Sequence, residues 1–168
     1  MLLTGPVSLP GGSVVARRVA SRVMPAVAAG AFRRTPIERA DQRVSWERSD
    51  QAFFAAGACH ILAWVCRDAY PDKGIRLAAI FLDGEPHPVH VYAAWRDWAF
   101  DASGWNPESE LWKINADFEG RPIEVRQITV GLSEFCRTHV HREPDGYWRD
   151  PLPRARAYLS RFDRPWGC

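Results

Sequence analysis

Cys59, His90 and Asp101 are the side chains of this chain whose types and placement suit covalent chemistry. A cysteine attacks as its thiolate, and an imidazole beside it can take the thiol proton and return it to a leaving group. A carboxylate on the far side of that ring fixes its tautomer. Cys59 follows Gly57 and Ala58 at the start of a helix expected over residues 58–70. Unpaired N–H groups there, and roughly half a positive charge, favour a nearby anion. His90 lies in the strand-like run Pro88-Val89-His90-Val91-Tyr92. Asp101 sits among apolar neighbours in Trp98-Ala99-Phe100-Asp101-Ala102, an unusual place for a residue type depleted in strands. The bland explanations are a buried structural cysteine, a solvent-facing histidine and a turn aspartate bonding to local backbone. Cys66 fits the first of these better than Cys59 does, and His87, between two prolines, is a weaker base.

Strand register decides whether His90 and Asp101 can meet. Residues 89–95 and 98–102 read as strands around Arg96-Asp97. A two-residue turn there sets Trp95 opposite Trp98 and Val91 opposite Ala102. Asp101 then lies diagonally beside His90 on one face, at about 7–8 Å between Cα atoms. Val89, Val91, Ala93, Phe100 and Ala102 share the other, apolar face, while Ala94 and Ala99 beside His90 leave room for a helix. A slip of one residue would part the pair.

Around this hairpin the pattern predicts a short strand at 44–47, a loop at 49–57, a strand at 75–82, a turn at 104–106 and a short helix at 108–115. A strand at 123–130 and helices at 132–140 and 152–162 complete the expected order. Adjacent strands joined by short turns predict an α+β fold: an antiparallel sheet with an N-terminal catalytic helix and C-terminal helices packed on it.

Chain length and a hydrophobic share of 46% fit one domain over residues 43–168. Residues 1–42 read as a basic, partly flexible extension. Residues 1–40 carry six arginines and one acid, so the remainder sums to −3 and offers no basic stripe for nucleic acid. A basic stretch followed by an alanine-rich run at 23–32 has some likeness to a signal peptide, although Arg33 and Arg34 follow it directly. No apolar run reaches the roughly 18 residues of a membrane span. Four cysteines without C-x-x-C spacing point to a reducing, cytoplasmic setting rather than a disulfide scaffold.

Gly57-Ala58-Cys59, His90-Val91-Tyr92 and Phe100-Asp101-Ala102-Ser103-Gly104 together resemble the core of papain-like and transglutaminase-like thiol enzymes. They are also similar to bacterial proteins of unassigned role with a G-x-C-H…H-V…D-x-x-G pattern. The resemblance covers residues 51–106. It implies Cys59 as nucleophile, His90 as base and Asp101 as orienter, with no cofactor and no metal. The expected reaction is acyl transfer through a thioester, as hydrolase, deamidase or acyltransferase, on a small-molecule or protein amide. The backbone N–H of Cys59 would bind the oxyanion, with Gln51 a candidate second donor. Tyr92, Trp95 and Trp105 are candidate cleft residues, and Trp98 reads as core. Three other readings stay open: a zinc site at Cys136, His139 and His141, a non-catalytic binding module on the same fold, and a delivered or secreted effector that deamidates a protein. Oligomeric state is left open.

Overall fold

The structure, a computed structural model, describes residues 24–167. The basic stretch at 14–23 and Cys168 lie outside the described residues. Helices and strands follow in the order α1 (Pro36–Ala40), α2 (Gln42–Trp46), α3 (Asp50–Ala55), α4 (Cys59–Ala69), β1 (Arg76–Leu82), β2 (His90–Trp95), β3 (Trp98–Asp101), β4 (Gly104–Pro107), α5 (Glu108–Glu119), β5 (Ile123–Ile128), α6 (Leu132–His139) and α7 (Pro151–Leu159). Short 3₁₀ turns occupy Ala29–Phe32, Pro71–Lys73 and Pro144–Gly146. The expected α+β class holds: the five strands form one antiparallel sheet in the order β4-β3-β2-β1-β5, with helices packed on it. Among the described residues no helix is long and apolar enough to cross a membrane.

The β2–β3 register is the one the hairpin argument requires, with Trp95 opposite Trp98 and Ala93 opposite Phe100. Arg96 takes the positive φ of 51° that such a tight turn demands. Side-chain alternation then sorts the sheet into two faces. Leu77, Ala79, Phe81, Val91, Ala93 and Phe100 pack with Phe54, Ile61, Leu62 and Val65 in the main core. Ala78, Ile80, Tyr92, Ala94 and Ala99 form a smaller cluster with Leu111 of α5. Each fully buried Phe, Ile or Leu here contributes about 1.5–3 kcal/mol. Helix α4 lies across β1, β2 and β3 and is covered outside by α7, so Cys59 to Cys66 are all buried.

Several local expectations need correction. Residues 44–47 fall in helix α2 and its end, and 50–55 form α3 rather than a loop. The expected turn at 104–106 is strand β4, because Asp101 pairs with Gly104 and the reversal comes one step earlier, at Ala102-Ser103. Trp98 is 38% exposed, not core, because it faces outward next to the hairpin turn. Residues 24–33 lie along the domain: the Val27 N–H donates to Ser103 Oγ at 3.1 Å and the Ala29 N–H to Asn115 Oδ1 at 3.1 Å.

Candidate active site

Backbone and two long side chains set the position of Cys59. Ala58 precedes α4 without a side-chain cap, so the first-turn N–H groups of the helix remain free around Cys59. Gly57 has φ +130°, a conformation L side chains rarely adopt, and a Cβ there would lie 3.3 Å from Arg34 Nε. Tyr147 Oη donates to the Gly57 carbonyl at 2.7 Å. The Arg48 guanidinium donates to the carbonyls of Ala52 and Ala56, at 2.9 Å each, and to that of Phe32. Arg48 also pairs with Glu38 at 3.2 Å. The turn that delivers the thiol is therefore clamped from both sides, and Cys59 keeps 7% of its surface exposed at the wall of a cleft.

His90 opens strand β2. Its Nε2–H donates to Asp101 Oδ2 at 3.0 Å, an assignment that follows from the carboxylate being acceptor only. Asp101 Oδ1 accepts from the Ser103 N–H at 2.7 Å. One carboxylate thus serves both uses considered for it, ring orientation and a local turn bond. His90 Nδ1 is buried without a well-aligned partner among the described residues, which leaves it as the nitrogen available to the Cys59 thiol.

Burial alone would push the Cys59 pKa up, but contacts with His141, His60 and His90, together with the His90 charge, outweigh it and hold the thiol well below its usual range. Burial would likewise lower His90, yet Asp101 and Cys59 raise it above the ordinary imidazole range. Cys66 lies entirely inside the core and burial pushes its thiol far up, as it does for Cys136, to about 11. The three described cysteines are free, and only Cys59 is biased toward thiolate.

Two histidines with no expected part in thiol chemistry complete the arrangement. His60 Nε2 donates to the Arg142 carbonyl at 2.8 Å, and its Nδ1 is buried and unpartnered among the described residues. His141 Nδ1 donates to the His139 carbonyl at 2.9 Å, and its ring meets His60 edge-on at 4.8 Å between centroids. The ligand atoms of Cys59, His60 and His141 lie within 4.8 Å of one another, a donor set suited to a thiophilic divalent ion. The alternative zinc trio of Cys136, His139 and His141 does not converge: His139 packs on Phe81 and Phe135, and the Cys136 thiol donates to the Arg142 carbonyl at 3.6 Å. Among the described residues, Cys59, His60 and His141 form the one such group.

The expected cleft residues lie elsewhere. Gln51 sits in the first turn of α3, in a separate depression with Asp50, Tyr158 and Phe162. Tyr92 is fully buried under α5, where its hydroxyl donates to Glu108 at 2.8 Å and accepts from Trp112 at 2.8 Å. Trp95 and Trp105 both pack against Trp166, with centroids 5.1 and 5.2 Å away. The cleft at Cys59 encloses about 760 Å³ and takes its walls from Arg34, Arg39, Gly57, Val89, His141 and Arg142 among others. Comparison of the chain with known protein families, curated proteins and solved structures finds no match.

Proposed function

We propose that the protein is a cysteine-dependent acyl-transfer enzyme of the papain-like and transglutaminase-like kind: a hydrolase, deamidase or acyltransferase acting on an amide or related acyl group. The observation that carries this reading is the His90 Nε2–Asp101 Oδ2 bond at 3.0 Å in a histidine whose other ring nitrogen is left free among the described residues and whose pKa Cys59 helps to raise. The Cys59 thiolate adds to the substrate carbonyl, and the first-turn N–H groups of α4 receive the oxyanion. The C–N bond breaks as the leaving amine takes a proton from His90, which leaves a thioester. Water then attacks the thioester, His90 takes its proton, and the acid departs as the thiol reforms; an amine acceptor in place of water gives transfer. Asp101 holds the ring in the tautomer both steps need. The substrate is a small-molecule or protein amide, nucleic acid is not a partner, and a reducing cytoplasm keeps the thiol free.

Intact-mass spectrometry with a panel of acyl and alkylating probes tests this. Adducts on Cys59, lost in Cys59→Ala and slowed in His90→Ala, are the expected outcome. Equal labelling of Cys59, Cys66 and Cys136 would refute it.

The convergence of Cys59, His60 and His141 within 4.8 Å favours one second reading, a metal centre. Under that reading purified protein holds about one equivalent of zinc, and His60→Ala and His141→Ala lose it. A thiol enzyme instead purifies without zinc and is slowed when zinc is added.

A further inference from the structure

Five arginines line the cleft at Cys59, namely Arg33, Arg34, Arg39, Arg137 and Arg142, and no carboxylate does. Arg33 is committed to Glu119, its Nη2 donating to both carboxylate oxygens at 2.5 and 2.7 Å. The other four form no ion pair among the described residues. Two of them are placed with care. Arg142 lies over the Tyr147 ring at 5.2 Å and donates to Gln42 Oε1, so its guanidinium is fixed from two directions. Arg34 lies over Gly57, two residues before the thiol, at a spot that a Cβ would crowd. Burial lowers the pKa of Arg34, and repulsion from Arg142, Arg48 and Arg39 lowers it further, against the opposing influence of Tyr147; Glu38, which also feels the Arg34 charge, is bonded to Arg48. Half-buried guanidinium groups held close with no carboxylate bonded to them are destabilising on their own and favourable once an oxyanion sits between them.

We infer that the cleft recognises an oxyanion, a carboxylate or phosphate carried by the acyl substrate, and that Arg34 and Arg142 form its main contacts beside Cys59. This inference rests on the thiol-enzyme reading above and adds the class of substrate. The fork of a guanidinium pairs with two oxygens of either anion, which fixes the orientation of the substrate as well as its charge. The apolar walls at Ala55, Ala56 and Val89 accept the chain between that anion and the reacting carbonyl.

Two alkylating reagents of similar size separate the two claims. Iodoacetamide is neutral and iodoacetate anionic; each forms a thioether with the thiolate and releases iodide. Fast reaction of Cys59 with iodoacetamide supports the thiol reading; slow reaction refutes it, and the acyl substrate proposed for the cleft falls with it. The inference predicts an iodoacetate-to-iodoacetamide rate ratio about tenfold or more above that of N-acetylcysteine, a modest figure for a focused field. Salt should lower the ratio. Arg34→Gln and Arg142→Gln should each lower it severalfold, whereas Arg126→Gln, which removes an exposed cation paired with Glu124, should leave it unchanged. Inorganic phosphate or acetate should slow iodoacetamide labelling of Cys59, and the stronger protector assigns phosphate or carboxylate. A reactive Cys59 whose ratio matches N-acetylcysteine, or which neither anion protects, overturns the inference while the thiol reading stands.

Discussion

The Cys59–His90 pair can be neutral or ionic, and its surroundings decide. Burial favours the neutral pair, but Asp101 on one side and three imidazoles around the sulfur favour thiolate and imidazolium. The ionic form exists above the lowered thiol pKa and below the raised imidazole pKa, so it extends to lower pH than the thiolate of an ordinary cysteine. Labelling by neutral iodoacetamide should therefore be fast at pH 6, where an ordinary thiol of pKa about 8.5 is only roughly 0.3% ionised. His90→Ala should move the rate profile to higher pH, so that labelling at pH 6 falls about tenfold or more while the two proteins converge at alkaline pH. Stopped labelling with mass readout across pH 5–10 checks this; superimposable profiles would remove His90 from the site. Cys59, His90 and Asp101 are legible in the sequence because local rules place them: a glycine-led helix start, and a two-residue hairpin turn that leaves little freedom of register. His60 and His141 are not, because their nearness depends on chain closure across 82 positions, from His60 to Arg142. Sequence proximity groups His141 with Cys136 and His139, but the chain reverses at Val140, so that His141 meets His60 while His139 lies against Phe81.

That reversal is an element-scale device. Val140 ends α6 at φ 56°, and the His141 N–H beyond it returns to the Cys136 carbonyl at 2.9 Å. A β-branched residue in this conformation is strained, and Val140 is 81% exposed, so its side chain recovers little by packing. Val140→Gly should raise stability by about 1 kcal/mol, net of the extra freedom glycine has when unfolded. A fall in melting temperature would show that the valine side chain is needed there. Helices α1, α2 and α3, with five, five and six residues, leave no periodic signature for a related reason. They are too short to stand on propensity, and caps and arginines hold them. Thr35 and Glu38 form a capping box, Asp41 and Ser49 cap the next two, and Arg154 reaches Asp50 and the carbonyls of Trp46 and Arg48. Arg48 is the most enclosed of these clamps, with 8% of its side chain exposed. Arg48→Ala takes one donor from each of three carbonyls and the ion-pair partner from Glu38, and should cost about 3 kcal/mol. Denaturant unfolding measures that loss, and iodoacetamide labelling should slow in parallel as the turn before Cys59 loosens. Loss of stability with unchanged labelling would limit Arg48 to a structural role.

At the scale of the whole molecule, residues 24–33 join parts that the sheet and α4 leave separate. The Val27 and Ala29 N–H groups bond to Ser103 and Asn115, so the segment touches the turn after Asp101 and the buried side of α5. Ala28 and Ala29 are buried, the Phe32 carbonyl accepts from Arg48, and Arg33 holds Glu119. A Cβ on Gly30 would come within 2.4 Å of Phe118, so the chain passes close over α5. The segment therefore links the clamp behind Cys59 to the strand end that carries Asp101, and it leads directly into the Arg34 of the cleft. A chain that begins at residue 33 should be less stable than one that begins at residue 24. Two hydrogen bonds at about 1 kcal/mol each, and the apolar contacts of Ala28, Ala29 and Phe32, amount to roughly 3 kcal/mol. That difference corresponds to a fall of about 6–12 °C in melting temperature for a protein of this size. The Ser103 N–H also braces Asp101, so the shorter chain should lose part of the His90-dependent advantage in labelling at pH 6. Ser103→Ala in the longer chain separates the two effects: it removes the Val27 contact but keeps the backbone bond to Asp101, so it should reproduce a small part of the stability loss and little of the change in pH profile. Equal melting temperatures for the two chain lengths would mean that residues 24–32 only rest on the surface, and that the sheet and α4 hold the site unaided.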